Sequence, residues 1–243
     1  MRVTLINPNR SDAMTATMLA AARRAAPGLT IDGRTSHDGP PAIQGAADGA
    51  VAEAPLLRLV CAAADGGADG IVIGCFDDTA LAQAVGCASC PVIGIGQAAF
   101  HTCALRGWRF SVVTTLPVSV PVIEENIARY GLAGSCARVR ASNVPVLDLE
   151  ARPDTARAAI QAEAEMAARE DGINAVILGC AGMARITGGI RAALSIPVVD
   201  PVEAAAGCIE WLAAFPHHAS ARSRAAPVDP LDPQKIHGQN RLD

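Results

Sequence analysis

The chain has 243 residues, 20 of them basic and 24 acidic, for a net charge of −4. That balance excludes the basic footprint of a protein that neutralises many phosphates, so nucleic acid is not an expected partner. Apolar residues make up 51% and aromatic residues only 3%, which calls for a core of Ala, Val, Ile and Leu, and no apolar run approaches the ~20 residues that cross a bilayer, so no membrane partner is expected.

The chain goes at once into a strand-like run, Val3–Ile6, too short for the apolar segment of a secretory signal, and a cytoplasmic location is expected. There the eight cysteines (Cys61, Cys75, Cys87, Cys90, Cys103, Cys136, Cys180 and Cys208) are reduced thiols, not a disulfide framework. Further short apolar runs, Ile71–Ile73, Val92–Ile95, Phe110–Val113, Val176–Leu178 and Val198–Val199, read as buried strands. Between them lie helix-length stretches, Ala13–Ala26, Ala46–Ala64, Val118–Tyr130, Ala156–Glu170 and Val202–Ala214. Strands joined by such crossovers run parallel, which predicts an α/β fold. From Pro216 the Ala/Val/Ile texture gives way to Pro, His, Arg and Asp, an extended tail over 216–243. It holds Lys235, the single lysine, so a Schiff-base mechanism has no good anchor.

The chain repeats itself. Asp69-Gly70-Ile71-Val72-Ile73-Gly74-Cys75 aligns with Asn174-Ala175-Val176-Ile177-Leu178-Gly179-Cys180, Pro91-Val92-Ile93 with Pro197-Val198-Val199, and Arg2-Val3-Thr4-Leu5 with Arg109-Phe110-Ser111-Val112. Three strands recurring in the same order predict two homologous, pseudo-symmetric parallel-sheet lobes, with helices on both faces and a cleft between them. Residues 1–97 form most of the first lobe and 98–203 the second.

Ligands of open parallel sheets bind beyond the carboxyl ends of the strands, and Cys75 and Cys180 each follow such an end after a glycine. A buried cysteine is ordinarily an inert small hydrophobe. Symmetric placement sets this pair apart, because it brings two thiols face to face. Such a pair suits proton exchange at one carbon: a thiolate removes the proton from one side and a thiol returns one to the other, inverting a stereocentre with no cofactor. Helix N-termini following both cysteines would favour the charged sulfur and hold an enolate oxygen. Asp77 and Asp78 would raise the pKa of Cys75, leaving Cys180 as the resting base, or would simply cap the next helix.

Ile6-Asn7-Pro8-Asn9, Gly74-Cys75-Phe76-Asp77-Asp78, Val113-Thr114-Thr115 and Gly179-Cys180-Ala181-Gly182-Met183 resemble the aspartate/glutamate/hydantoin racemase superfamily, closest to its hydantoin and allantoin racemase branch. The resemblance runs in order through residue 215. It implies a cofactor-independent racemase with Cys75 and Cys180 as acid/base residues, acting on a small cyclic ureide or an amino-acid-like substrate. Asn9, Thr114 and Thr115 would line the pocket, with Phe76, Asp77, Ala181, Gly182 and Met183 supplying contacts near the thiols. It further implies that the C-terminal helix, 204–215, returns to the first lobe. A departure at Gln44, a position often acidic in the family, leaves the contacts of the His37 loop open. A homo-oligomer is expected.

Other readings are weaker. Cys87-Ala88-Ser89-Cys90 with His101 and Cys103 nominally offers zinc ligands, but the intervening strand would carry them apart, so no metal is expected. Gly94-Ile95-Gly96-Gln97-Ala98-Ala99 fits a dinucleotide fingerprint but lacks the acidic residue some 20 positions later, leaving tight turning as its role. Asn9 and the two threonines also suit turn and capping chemistry. An aspartate or glutamate racemase would need cations for a carboxylate, for which Arg10 and Arg185 are the candidates. A related decarboxylase or isomerase with one thiol, and a non-catalytic small-ligand binder, complete the alternatives.

Overall fold

The computed structural model describes residues 1–215; the expected tail over 216–243 lies outside the described residues. The first half runs β1 (Arg2–Asn7), α1 (Asp12–Ala25), β2 (Thr30–Thr35), α2 (Ala46–Asp65), β3 (Gly70–Ile73), α3 (Leu81–Cys87), β4 (Val92–Gly94) and α4 (Ile95–Leu105). The second runs β5 (Phe110–Thr114), α5 (Val120–Arg129), β6 (Cys136–Ala141), α6 (Asp148–Ala151), α7 (Pro153–Glu170), β7 (Ala175–Gly179), α8 (Thr187–Ala193), β8 (Val198–Val199) and α9 (Pro201–Ala213).

Each half builds a four-stranded parallel sheet, ordered β2-β1-β3-β4 and β6-β5-β7-β8. The orders superimpose position for position, so the sequence repeat is a repeat of topology and the protein is a two-lobed α/β fold with helices around both sheets. The inner strands β5 and β7 are buried at every residue. Such strands read as continuous apolar runs and are found that way. The edge strands β2 and β6 escape the same test. Their sequences, TIDGRT and CARVRA, carry charge and are only partly buried, whereas β4 and β8, at the opposite edges, carry none and are buried throughout. Ile95, expected to end a strand, instead opens α4.

α1 is set by Ser11, whose side chain accepts from the Met14 N–H as its N-cap, and buries Met14, Met18, Ala21 and Ala22. α9 is started by Asp200, which accepts from the Val202 and Glu203 N–H groups, and packs on α1, α4 and β3. One core therefore runs from the first sheet into the second through Phe100 and Phe110. The few aromatic rings concentrate there. Phe100 meets Phe76 edge-on at 5.3 Å between centroids, Phe110 in a stack at 5.9 Å, and Tyr130 at 6.2 Å. Such pairs add stability beyond the area they bury. Among the described residues no helix is long and apolar enough to cross a membrane.

The second sheet carries an ionic knot on its edge strand. Arg140, 7% exposed, donates to Asp171 (2.6 and 2.8 Å), Glu163 (3.0 Å) and Glu170 (2.9 Å), while Ser111 Oγ also donates to Asp171 (2.7 Å). The guanidinium holds the Asp171 carboxyl below the ordinary carboxylate range. Arg140→Met leaves the buried Asp171 side chain with the Ser111 hydroxyl and the more distant Arg138 guanidinium, 3.9 Å away, and is expected to lower unfolding free energy by ~3 kcal/mol in urea titrations at pH 7. A carboxyl with a depressed folded pKa stabilises above its unfolded pKa and loses that contribution as pH falls. The deficit of the variant should therefore shrink as the pH drops below the ordinary value of 3.8.

Candidate active site

Both cysteines stand at the carboxyl ends of equivalent strands, and the glycine before each is there for space. A Cβ on Gly74 would press on Met18 Sδ at 2.6 Å, and one on Gly179 would lie 2.9 Å from Thr114 Cα. Beyond these glycines the two turns differ. After Cys75 the chain closes a tight turn, with Asp78 N–H donating to the Cys75 carbonyl (3.1 Å), and Asp78 and Ala80 both take left-handed backbone angles, φ 47° and 53°. α3 begins only at Leu81. After Cys180 a 3-10 turn over Ala181–Arg185 starts at once, with Cys180 itself in the capping position. The expectation of a helix N-terminus behind each thiol is thus corrected for Cys75: the left-handed turn keeps the start of α3 away from the sulfur.

A narrow cavity lies between the lobes, with ≈ 30 Å³ enclosed and ≈ 390 Å³ when the open space at its mouth is counted. Cys75 and Cys180 both line it, with Asn9, Phe76, Asp77, Thr114, Thr115 and Ala181. Gly182 and Met183 do not. Met183 points into the core of the second lobe and Gly182 backs onto Leu149, so both reach the site through the backbone, whose N–H groups face the Cys180 sulfur. The sequence reading missed Met14, Ile43, Ser119 and Val146 in the same wall. Ile43 and Val146 come from loops that follow the two edge strands, and those strands gave no apolar signal to place them. Gln44 Oε1 accepts from the Val146 N–H (3.0 Å) and Ser11 Oγ donates to Glu150 (2.7 Å), so the two lobes are tied on this side of the cavity.

Several wall residues do structural work as well. Asn9 Oδ1 accepts from Asn7 Nδ2 and the Ser11 N–H (both 2.9 Å), which shapes the entry to α1, while its own Nδ2 lies 3.3 Å from Met14 Sδ. Thr114 Oγ1 donates to the Gly179 carbonyl (3.1 Å), and neither threonine caps the turn at Pro117–Ser119. Asp78 does cap a helix, though not the next one. Its Oδ1 accepts from the Gly96 N–H (3.0 Å) at the start of α4, and its Oδ2 from the Tyr130 hydroxyl (2.8 Å). Gly94 and Gly96 admit that carboxylate, since a Cβ on Gly94 would collide with Asp78 Oδ1 and one on Gly96 would lie 2.9 Å from Oδ2. The fingerprint-like glycines therefore make room for a buried carboxylate.

Burial dominates the electrostatics. Desolvation pushes the Cys75 thiol far above its ordinary value, the charges of Asp77 and Asp78 push it further, and the Thr79 hydroxyl, 3.3 Å from the sulfur, pulls it back in part. Cys180 is pushed up to about 12, again mainly by desolvation and by Asp77, against the Gly182 and Met183 N–H groups. Burial thus favours the neutral form of both thiols, which corrects the expectation of Cys180 as a resting thiolate and agrees with that of a protonated Cys75. Desolvation also raises Asp77 to about 7; one oxygen accepts from the Gly45 N–H, and Oδ2 is buried with no hydrogen-bond partner.

Among the described residues no Lys, Arg or His lines the cavity. Arg10 and Arg185 are both exposed and outside it. No group of three or more His, Cys, Asp or Glu among the described residues is arranged to hold a metal ion.

Two four-stranded parallel sheets with helices around them place the chain among two-lobed α/β proteins. The family model for Asp/Glu/Hydantoin racemase matches residues 3–209, and the chain belongs to that family and is an isomerase. It is 41% identical over 213 residues to a hydantoin racemase of Rhizobium meliloti, covering 87% of this chain and 88% of the relative. Among solved structures it resembles an allantoin racemase from Klebsiella pneumoniae, with 40% identity, 88% of each chain covered and a TM-score of 0.84. An allantoin racemase from Pseudomonas fluorescens matches at 36% identity, 87% of this chain, 90% of that one and a TM-score of 0.83.

The raised carboxyl of Asp77 carries a cost in stability. The unfolded chain ionises it near 3.8 and the folded protein only near 7, so folding loses free energy as the pH climbs between those values. Asp77→Asn should therefore melt above the wild type at pH 8, by several degrees, and no higher than wild type at pH 4. Differential scanning calorimetry at the two pH values checks both halves.

Proposed function

We propose that this protein racemises a neutral cyclic ureide, a 5-substituted hydantoin or allantoin, without a cofactor, with Cys75 and Cys180 as the two acid/base residues. The observation that carries the reading is a cavity lined by both thiols and, among the described residues, by no cationic side chain. A free amino acid would bring an α-carboxylate that nothing in this wall neutralises, whereas a cyclic ureide is uncharged and offers N–H and C=O groups. The hydantoin and allantoin racemases among the relatives support the same substrate class.

In the working form one thiol has given its proton to solvent and is a thiolate, while the other stays a thiol. The thiolate, Cys180 for one enantiomer, takes the C5 proton; the electron pair left on carbon delocalises into the adjacent ring carbonyl as an enolate. Cys75 then gives its proton to the opposite face of C5, and the enolate collapses to the inverted ring. The product state has Cys75 as thiolate and Cys180 as thiol, ready for the mirror-image substrate. The Gly182 and Met183 N–H groups stabilise negative charge on Cys180, and the Thr79 hydroxyl does so on Cys75. Asn9 Nδ2 and the Thr115 hydroxyl are the candidate donors to the ring oxygens, the Thr114 hydroxyl being committed to the Gly179 carbonyl. The unpartnered Oδ2 of Asp77 is the natural acceptor for a ring N–H. That pairing would also draw the carboxylate charge toward the substrate and away from the sulfurs.

The division of the chain near residues 97 and 203 belongs to this reading, with position 97 inside the first turn of α4 and the packing of α9 on α1, α4 and β3 supporting its return to the first lobe. A cytoplasmic homo-oligomer remains part of the proposal.

The test is a panel in D₂O: (S)-allantoin, L-5-benzylhydantoin, L-5-isopropylhydantoin, L-aspartate and L-glutamate, with optical rotation and C5 or Cα deuterium followed together. The ureides should lose rotation and gain deuterium, and the amino acids should do neither. Cys75→Ala and Cys180→Ala should each lower racemisation by at least about 10³-fold. Racemisation of aspartate or glutamate in preference to the ureides would overturn the substrate assignment, and retained activity in either cysteine variant would overturn the mechanism.

A further inference from the structure

Helix α5 belongs to the second half of the chain, yet two of its side chains grip the turn that carries Cys75. Asn126 Nδ2 donates to the Asp77 carbonyl (2.8 Å), and four residues on, at the end of the helix, the Tyr130 hydroxyl donates to Asp78 Oδ2 (2.8 Å). Positions four apart share a helix face, so one stripe of α5 holds two consecutive residues of the turn. Asp78 in turn donates its N–H to the Cys75 carbonyl (3.1 Å), and its second carboxylate oxygen is fixed by the Gly96 N–H (3.0 Å). The Tyr130 ring is seated against Phe100 and His101, with centroids 6.2 and 5.7 Å away. At its other end α5 follows Thr114, Thr115 and Ser119, which wall the cavity from the second lobe. A single helix thus joins the second-lobe wall of the cavity to the first-lobe thiol.

The geometry points to Asn126 and Tyr130 as positioning residues that set the Cys75 sulfur in place across the interlobe cavity from Cys180. This rests on the two-thiol reading above. Cys180 follows β7, in the same sheet as the threonines, so its place in the second-lobe wall is fixed by strand pairing. Cys75 arrives from the other sheet, and its reach to the reacting carbon depends on the register between the lobes. α5 sets that register at the turn itself. Neither Asn126 nor Tyr130 lines the cavity, so neither touches substrate.

The stereochemistry of exchange tests the assignment. Wild type, Tyr130→Phe and Asn126→Ala, each as the full chain, are given each enantiomer of 5-isopropylhydantoin in D₂O, and inversion and deuterium uptake are followed in parallel. With Cys75 displaced, an enolate made by Cys180 is returned to the same face more often than it is inverted. Racemisation is expected to fall about 10- to 100-fold, with KM within about twofold of wild type, while deuterium uptake with retained configuration persists for the enantiomer that Cys180 deprotonates and is absent for its mirror image. A general loosening of the fold would lower exchange and inversion together for both hands. An unchanged ratio of exchange to inversion for both enantiomers, in variants that melt as wild type does, overturns the positioning role and leaves the two-thiol mechanism standing. A wild type that neither exchanges nor inverts any hydantoin overturns both. Should Tyr130→Phe fail to fold, Asn126→Ala decides alone, because it removes one tie and leaves the Asp78 carboxylate paired.

Discussion

Desolvation of two thiols is the constraint around which this molecule is built. Placing Cys75 and Cys180 in a narrow interlobe wall raises both above their ordinary range, so the free protein keeps its sulfurs neutral. A neutral thiol is protected from adventitious chemistry, but it is also a poor base. Everything close to the sulfurs bears on that balance: N–H groups and a hydroxyl that favour the thiolate, and Asp77, which opposes it at both positions.

Two kinds of packing bring the thiols to one cavity. The parallel ladders fix each cysteine within its own lobe, and the aromatic group of Phe76, Phe100, Phe110 and Tyr130 fixes the lobes against each other. In a chain with so few aromatic residues, their concentration at this junction marks where shape matters most. The hydrogen bonds from Ser11, Gln44, Asn126 and Tyr130 lie around the same seam. Asp78 is the most demanding member, since two glycines are given up to admit its carboxylate.

The inner architecture was legible in the sequence because strands buried on both faces must be apolar throughout, and because the repeat around Gly74-Cys75 and Gly179-Cys180 is local and ordered. The edge strands β2 and β6 were not, since Thr30–Thr35 and Cys136–Ala141 are only partly buried and carry charge. Ile43 and Val146 went unseen with them. The resting charge expected on Cys180 was misjudged for a related reason: the chain shows that polar backbone follows the cysteine but not how completely water is removed, and burial outweighs the nearby N–H groups. The Gly94/Gly96 pair was open to two motif readings, and neither included a carboxylate arriving from a turn 16 residues earlier.

The unequal surroundings of the two sulfurs carry a thermodynamic consequence. Mirror-image molecules have identical free energies in water, so the equilibrium constant for their interconversion is one, and the Haldane relation requires equal kcat/KM in the two directions. Within the two-thiol reading, the carboxylates beside Cys75 cannot give either hand a net advantage. They can only divide the same overall barrier differently between saturation and turnover, so that one enantiomer binds more tightly and reacts more slowly than the other.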